Sequence, residues 1–148
     1  MSTPLSARVS WIQHAARLLL GGALLLAGTG HLTTQRQAFQ AQVPTWLPLD
    51  PDFVVVASGV VELSLGVALV TLPRYRVSIG AAAAAFFVAV FPGNLSQYLT
   101  QTDAFGLNTD QARLIRLFFQ PLLVAWALWS TGAWARWRAS RRRRPAAG

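Results

Sequence analysis

The sequence contains no cysteine and no lysine, and only 12% of its 148 residues are charged. Without cysteine the chain has no disulfide, no thiol relay and no cysteine-ligated metal, so any redox role depends on a borrowed cofactor. A soluble domain usually carries about 25% charged residues, whereas 53% of this chain is hydrophobic and its mean hydropathy is +0.40. This leaves too little polar surface to coat a soluble domain, so the composition indicates one membrane-embedded domain.

Four apolar segments approach the ~20 residues that a helix needs to cross a ~30 Å hydrocarbon core. The predicted helices lie between an N-terminal segment, 1–10, and an Arg-rich tail, 135–148, and cover residues 11–31, 53–72, 77–99 and 114–134. The predicted fold is therefore an all-α, four-helix membrane bundle over residues 11–134. A cleaved signal peptide is the competing interpretation of the first helix, but that segment lacks a clear cleavage site and its loss would leave an odd helix count.

The charges are unevenly placed along the chain. Thirteen arginines oppose five acidic residues, for a net charge of +8, and six of the arginines lie in the tail that follows the fourth helix. Arg74 and Arg76 lie in the joint between the second and third helices. Since cytoplasmic segments favour basic residues, this pattern predicts that both termini are cytoplasmic. The tail is expected to be attracted to anionic lipid and not to bind nucleic acid.

One carboxylate interrupts the second helix, in the stretch "ASGVVELSLGVALV". A charge at the centre of a membrane helix costs ~2.5 to 3.5 kcal/mol on insertion scales, so its position needs compensation. Gly59, Glu62 and Gly66 share one helix face, and glycines permit close helix contact. This spacing predicts that Glu62 points into the bundle.

The other three helices carry polar residues toward their outer ends. They are His31 on the first, Asn94 and Gln97 on the third, and Arg116 and Gln120 on the fourth. Counted at ~1.5 Å per residue, His31 and Arg116 lie within a turn of the outer surface, Asn94 and Gln120 at roughly 7 to 9 Å and Glu62 at about 14 Å. These depths predict a polar funnel that opens outward and ends at Glu62. Arg113 is instead predicted to extend into the lipid headgroups.

The segment "VPTWLPLDP" contains three prolines around Trp46 and is not expected to form a stable helix. Two interpretations of Trp46 remain open. It either covers the funnel as a lid or anchors the chain in the aromatic belt of the outer interface.

Several motifs, in order and spacing, resemble the DoxX family of small bacterial membrane proteins. They are "GTGHL", "VPTWLP", "SGVVELSLGVAL", "FPGNLSQY" and "RLFFQPLLVAWAL", which are distributed over most of the chain. The resemblance implies a four-helix bundle in the bacterial cytoplasmic (inner) membrane and a loose link to quinone and sulfur redox systems. Its recurrent polar residues would be His31, Glu62, Asn94, Arg116 and Gln120.

Two functions from different classes follow from these residues. In the first, the funnel binds the headgroup of a quinone or similar amphiphile without a covalent bond, in a protein that associates with membrane redox subunits or with copies of itself. In the second, the chain is a non-enzymatic scaffold whose buried polar residues fix helix packing. Neither hypothesis assigns a catalytic residue or a metal site, and an ion channel has less support because polar residues are sparse in the inner half.

Overall fold

The computed structural model describes residues 9–142. Over that range the chain is helical, with no strand. Its helices are α1 (Trp11–Leu32), α2 (Arg36–Gln40), α3 (Pro51–Thr71), α4 (Arg76–Leu99), α5 (Asp110–Ser130) and α6 (Ala133–Arg142), and a 3₁₀ turn, Pro73–Tyr75, precedes α4. Residues 1–8 and 143–148, which include most of the predicted N-terminal segment and the end of the tail, lie outside the described residues.

Side-chain caps fix where the long helices begin. Ser10 and Gln13 form a capping box at the start of α1, and Asp50 accepts a hydrogen bond from the Phe53 amide just before α3. Thr109 accepts a hydrogen bond from the Ala112 amide, so α5 begins at Asp110. A cap satisfies backbone N–H groups that would otherwise lack partners in the first turn.

The predicted bounds of the fourth helix are shifted by the same chemistry. The apolar pattern placed that helix at 114–134, whereas the Thr109 cap starts it four residues earlier and α5 ends at Ser130. Gly132, with φ of +77°, adopts a left-handed conformation that favours glycine and breaks the chain direction. Residues 133–142, most of which were assigned to the tail, then form α6.

Four helices are long and apolar enough to cross a membrane: α1, α3, α4 with its preceding turn, and α5. Their outward faces carry large apolar side chains, such as Leu26 (78% exposed) and Phe118 (67% exposed). Apolar side chains on the outer face are expected where lipid replaces water as the solvent. The described part of the chain therefore has the four candidate spans of a multi-pass membrane protein.

The bundle consists of two closely packed antiparallel pairs, α1 with α3 and α4 with α5. Glycines bring α1 and α3 together at two levels, where Gly21 faces Gly66 and Gly28 faces Gly59. A Cβ atom on Gly28 would lie 2.8 Å from the Gly59 carbonyl oxygen. Small residues of this kind let helix backbones approach closely in membranes.

Candidate ligand-binding cavity

A cavity of about 530 Å³ lies among the four long helices, near the C-terminal ends of α1 and α4 and the N-terminal halves of α3 and α5. We call this the cavity end of the bundle. Apolar side chains make up much of the lining, including Val55, Phe86 and Phe87. The polar lining combines residues from all four helices and the loop after α2: His31, Gln42, Ser58, Glu62, Asn94, Arg116 and Gln120.

His31 and Glu62 are both buried, at 8% exposure, and touch each other. Nδ1 of His31 lies 2.9 Å from Oε2 of Glu62 and also 2.9 Å from the Ala27 carbonyl oxygen. The contact with Ala27 has hydrogen-bond geometry and a carbonyl can only accept, so in the tautomer with a hydrogen on Nδ1 that hydrogen points to Ala27. Oε2 of Glu62 is thus buried without a hydrogen-bond partner among residues 9–142. A buried carboxyl oxygen in this state calls for a donor or a proton.

The predicted difference in depth between His31 and Glu62 is wrong, because the two side chains lie at one level. The depth count assumed that all helices end in the same plane. A Cβ on Gly59 would lie 2.8 Å from the His31 Cβ, so the last turn of α1 meets α3 eight residues after Pro51 (59 − 51). At ~1.5 Å per residue, α3 extends about 12 Å beyond that level.

Asn94 and Gln120 join α4 to α5 across the cavity wall. Asn94 donates a hydrogen bond of 2.8 Å to Oε1 of Gln120, and Gln120 donates one of 2.5 Å to the Phe87 carbonyl oxygen. Pro92 lies on the same stretch of α4 and lacks an amide hydrogen, so the helix is already weakened here. The paired amides join the two helices in one arrangement, and both residues line the cavity.

Arg116 is linked to the loop that follows α2. Its guanidinium donates a hydrogen bond of 3.1 Å to Oε1 of Gln42, and Gln42 donates one of 3.0 Å to Oε1 of Gln97. Gln97, which is 1% exposed, also donates to the Thr102 carbonyl and does not line the cavity. The structure therefore brings five of the six predicted binding residues to the cavity and places Gln97 behind them, as a support for Gln42.

Three groups, Phe39, Phe105 and Arg116, contact one another in a row that begins at His31. The Phe39 ring stacks on His31 with centroids 3.4 Å apart, and Phe105 meets Phe39 edge-on at 4.5 Å. The Arg116 guanidinium lies 5.0 Å from the centre of the Phe105 ring. Phe105 has φ of +59°, a left-handed conformation that is unusual for a bulky side chain and that occurs here in a turn.

Trp46 is part of the cavity lining and is also 69% exposed. Phe119 on α5 lines the cavity as well and is 56% exposed. Both aromatic side chains therefore stand at the rim, where the cavity reaches the outer surface of the bundle. This position agrees with the lid interpretation of Trp46 and with the belt interpretation, since a rim residue contacts both the cavity and the surroundings.

Helix α2 is fastened to α3 by an ion pair. Arg36 donates two hydrogen bonds to the carboxylate of Asp52, through Nε at 2.6 Å and through Nη2, and Gln40 donates a third at 2.6 Å. Hydrogen bonding to Asp52 holds the pKa of Arg36 above its ordinary value. Because Phe39 lies between Arg36 and Gln40, this pair positions the ring that stacks on His31.

Replacing Asp52 by asparagine is expected to loosen α2 without unfolding the protein. Both side chains are open to solvent, which screens the pair, so we expect only a small loss of stability. Amide hydrogen exchange over residues 36–47 is expected to become faster. Asp110→Asn is the matched control, since it removes a different carboxylate–arginine contact at Arg113 and touches no residue of α2. Equal exchange in the wild-type and Asp52→Asn proteins would show that other contacts hold α2.

Arg113 does not extend into the headgroups, and that prediction is wrong. Its side chain is 5% exposed and bonds with the carboxylates of Asp103 and Asp110. Asp103 lies on the loop between α4 and α5, which folds back over the start of α5. A guanidinium with two carboxylate partners gains more there than in a solvated surface position.

The fold and the cavity define a class, a helical bundle with four candidate membrane spans and a polar site at one end. A family model matches residues 20–131, and the chain therefore belongs to the family described as a domain of unknown function, DUF8561. No curated protein matches the chain, and no solved structure matches it. The family match does not bear on the resemblance to the DoxX family, which stays a prediction.

Proposed function

We propose that the cavity binds the polar headgroup of a membrane-soluble amphiphile, with a quinone as the preferred chemical class. The observation that carries the proposal is the Glu62 side chain, a buried carboxyl group that lines the cavity in contact with His31 and has no arginine partner among the described residues. A cavity of about 530 Å³ is within the range of small-molecule sites, ~300 to 1,000 Å³. Its lining is apolar with a few convergent polar groups, as such sites require.

The polar groups divide into donors and an acceptor. Arg116 forms no ion pair with any carboxylate that the structure describes, and its guanidinium and the Asn94 amide offer N–H groups to carbonyl oxygens. Glu62 offers an acceptor to a hydroxyl hydrogen. A quinone in its oxidised form presents two carbonyl oxygens, and in its reduced form two hydroxyl groups. The same cavity thus matches both forms, with the isoprenoid chain leaving past the apolar rim into lipid.

We propose further that the protein lies in a bacterial cytoplasmic membrane with both termini inside and the cavity end outside, near a membrane redox system. All five acidic residues lie in the cavity half, and Arg17, Arg74, Arg76 and the arginines of α6 lie in the other half. This asymmetry supports the orientation, since basic residues favour the cytoplasmic side. The redox association rests on the DoxX resemblance alone.

Replacing Glu62 by glutamine is expected to weaken the binding of decylubiquinol, the reduced form whose hydroxyl groups donate to Glu62, by about tenfold or about 1.4 kcal/mol, because a neutral amide oxygen is a weaker acceptor than a carboxylate. Binding is measured by quenching of tryptophan fluorescence, with Trp46 at the rim as the reporter. Mass spectrometry of lipids extracted from the purified wild-type protein is expected to recover a quinone. Ser64→Ala is the control, because Ser64 is exposed on the same helix and bonds only the Val60 carbonyl. Unchanged affinity for decylubiquinol in Glu62→Gln contradicts the proposal.

A scaffold function is the second candidate, and one observation favours it. Gln42 with Gln97, and Asn94 with Gln120, already pair with each other across the bundle without any ligand. Interhelical hydrogen bonds of this kind fix helix register at about 0.6 kcal/mol each. A scaffold would copurify with a partner protein, would yield no lipophilic ligand on extraction, and would lose thermal stability in Glu62→Gln with no change in quinone binding.

A further inference from the structure

Arg17 lies in the half of the bundle opposite the cavity and is 5% exposed. Its Nη1 group donates a hydrogen bond to the Leu69 carbonyl, one of the last carbonyls of α3. Carbonyls in the last turn of a helix lack intrahelical partners, so Arg17 caps α3. Its Nε atom is buried and has no hydrogen-bond partner among the described residues. The single hydrogen bond to the Leu69 carbonyl therefore does not balance the positive charge of the Arg17 guanidinium.

Arg76 brings a second positive charge to the same place. It begins α4, seven residues after Leu69, whose carbonyl Arg17 binds, so the two positive charges lie at the same α3–α4 turn and oppose each other. Its Nε atom is likewise buried without a partner in the described part of the chain. A cation at a helix N-terminus also interacts unfavourably with the helix dipole, whose positive end lies there. The charge of Arg76 is therefore unfavourable for two reasons, the repulsion from Arg17 and the dipole of α4.

The protein's side chains do not supply a counter-charge here. The five acidic residues are Asp50, Asp52, Glu62, Asp103 and Asp110, and all lie in the cavity half. Removing a charge from water without a partner costs free energy, and two neighbouring charges of the same sign cost more because they also repel each other. An anion from outside the chain removes both penalties at once.

A further buried donor lies at the same end of the bundle. Ser130, 0% exposed, lies at the end of α5 with its hydroxyl unpartnered in the described range. The end of α5 is fixed against α1 because Gln13 donates a hydrogen bond of 2.7 Å to the Trp129 carbonyl and Trp126 donates one of 2.9 Å to the Ala16 carbonyl.

We propose that Arg17 and Arg76, at the α1–α3–α4 corner, form a binding site for a phosphate group. Guanidinium groups bind phosphate through paired N–H donors, and a helix N-terminus favours an anion as well. The phosphate belongs either to the headgroup of a membrane lipid or to a free phosphate ion, and the chemistry of recognition is the same for both.

The neighbouring α6 favours a lipid as the source. Trp134 and Trp137 lie 5.1 Å apart on this helix, and the Arg141 guanidinium lies 4.4 Å from the Trp137 ring. Tryptophan and arginine side chains on a short amphipathic helix are typical of a segment that lies in the membrane interface. The phosphate of a lipid headgroup is found at that same level.

The test compares the wild-type protein with Arg76→Gln in nanodiscs of phosphatidylcholine, with and without added phosphatidylglycerol. Native mass spectrometry counts the phosphatidylglycerol molecules that the released protein retains. We expect retention to fall by about fivefold in Arg76→Gln, equivalent to about 1 kcal/mol for one basic residue. Arg74→Gln is the matched control, because Arg74 is exposed two residues away. Arg17→Gln, in which the cap of α3 is also lost, is the second variant.

A separate arm adds inorganic phosphate to the protein in phosphatidylcholine nanodiscs and measures the midpoint of thermal unfolding. Stabilisation of the wild-type protein and not of Arg76→Gln supports the site and assigns it to a free anion. Equal retention of phosphatidylglycerol in wild type, Arg76→Gln and Arg74→Gln, with no effect of inorganic phosphate, overturns the proposal. An equal loss in Arg76→Gln and Arg74→Gln also overturns it, because a diffuse surface charge would then explain the binding.

Discussion

Gly28→Ala is expected to destabilise the protein by about 1 to 3 kcal/mol, the usual cost of an added methyl group in a closely packed contact. The new Cβ would lie 2.8 Å from the Gly59 carbonyl oxygen and 3.0 Å from the Leu63 amide nitrogen. Both are backbone atoms of α3, so no side-chain rotation relieves the overlap and the two helices must separate. Thermal unfolding of the purified protein in detergent micelles measures the loss.

Gly22→Ala is the matched control for this prediction. It adds the same methyl group to the same helix six residues away, where no atom lies within 4 Å of the new Cβ. Alanine is the better helix former by about 1 kcal/mol, so this variant is expected to be as stable as the wild type or slightly more stable. If Gly28→Ala and Gly22→Ala unfold at the same temperature, α1 and α3 do not pack through their glycine faces.

The inward position of Glu62 is a feature that the sequence predicts well. Gly59 and Gly66 flank it on one face of a long apolar helix. Such a face is expected to pack against a neighbouring helix, because glycines let two helix backbones approach closely. The structure places both glycines against α1 and leaves Glu62 8% exposed. The existence of four long helices is equally predictable, since an apolar run of this length has few alternatives.

The contacts of Gln42 and Phe39 beside the cavity could not be predicted from the sequence in the same way. Gln42 lies in the stretch "TTQRQAFQAQ", where no periodicity distinguishes it from the neighbouring glutamines. Its role depends on contacts with Gln97 and Arg116, which are 55 and 74 residues away in sequence. The stacking of Phe39 on His31 likewise depends on the Arg36–Asp52 pair. Contacts of this range are set by tertiary packing, on which a local pattern carries no information.

The offset of the helices relative to one another along the bundle axis could not be predicted from the sequence either. A residue count along one helix gives a distance from its own end and not from the end of its neighbour. The first turns of α3, beyond the level of His31, contact α2, which lacks an apolar pattern. The predicted funnel has Glu62 alone at its deepest point. In the structure His31 and Glu62 lie at the same level and touch.

The double variant Asn94→Leu/Gln120→Leu is expected to lose quinone binding and to keep nearly wild-type stability. Gln120→Leu alone leaves the Asn94 amide without its partner, at a cost of about 0.6 to 1.7 kcal/mol. Replacing both partners by apolar groups of similar size leaves neither amide unsatisfied, so much of that loss is expected to be recovered. The affinity for decylubiquinone is expected to fall by at least about tenfold, or about 1.4 kcal/mol, because the donors on this wall are gone.

This pair of measurements separates the two candidate functions, since stability and binding respond to different atoms. A site for a headgroup requires the free N–H groups of Asn94 and Gln120, and packing alone does not replace them. A scaffold requires only that the α4–α5 wall be filled, which leucine does as well. Stable protein with lost binding therefore supports the ligand site. A double variant that binds decylubiquinone as tightly as the wild type would remove these residues from the site, and with Glu62→Gln also unchanged it would leave the scaffold as the function of the polar network.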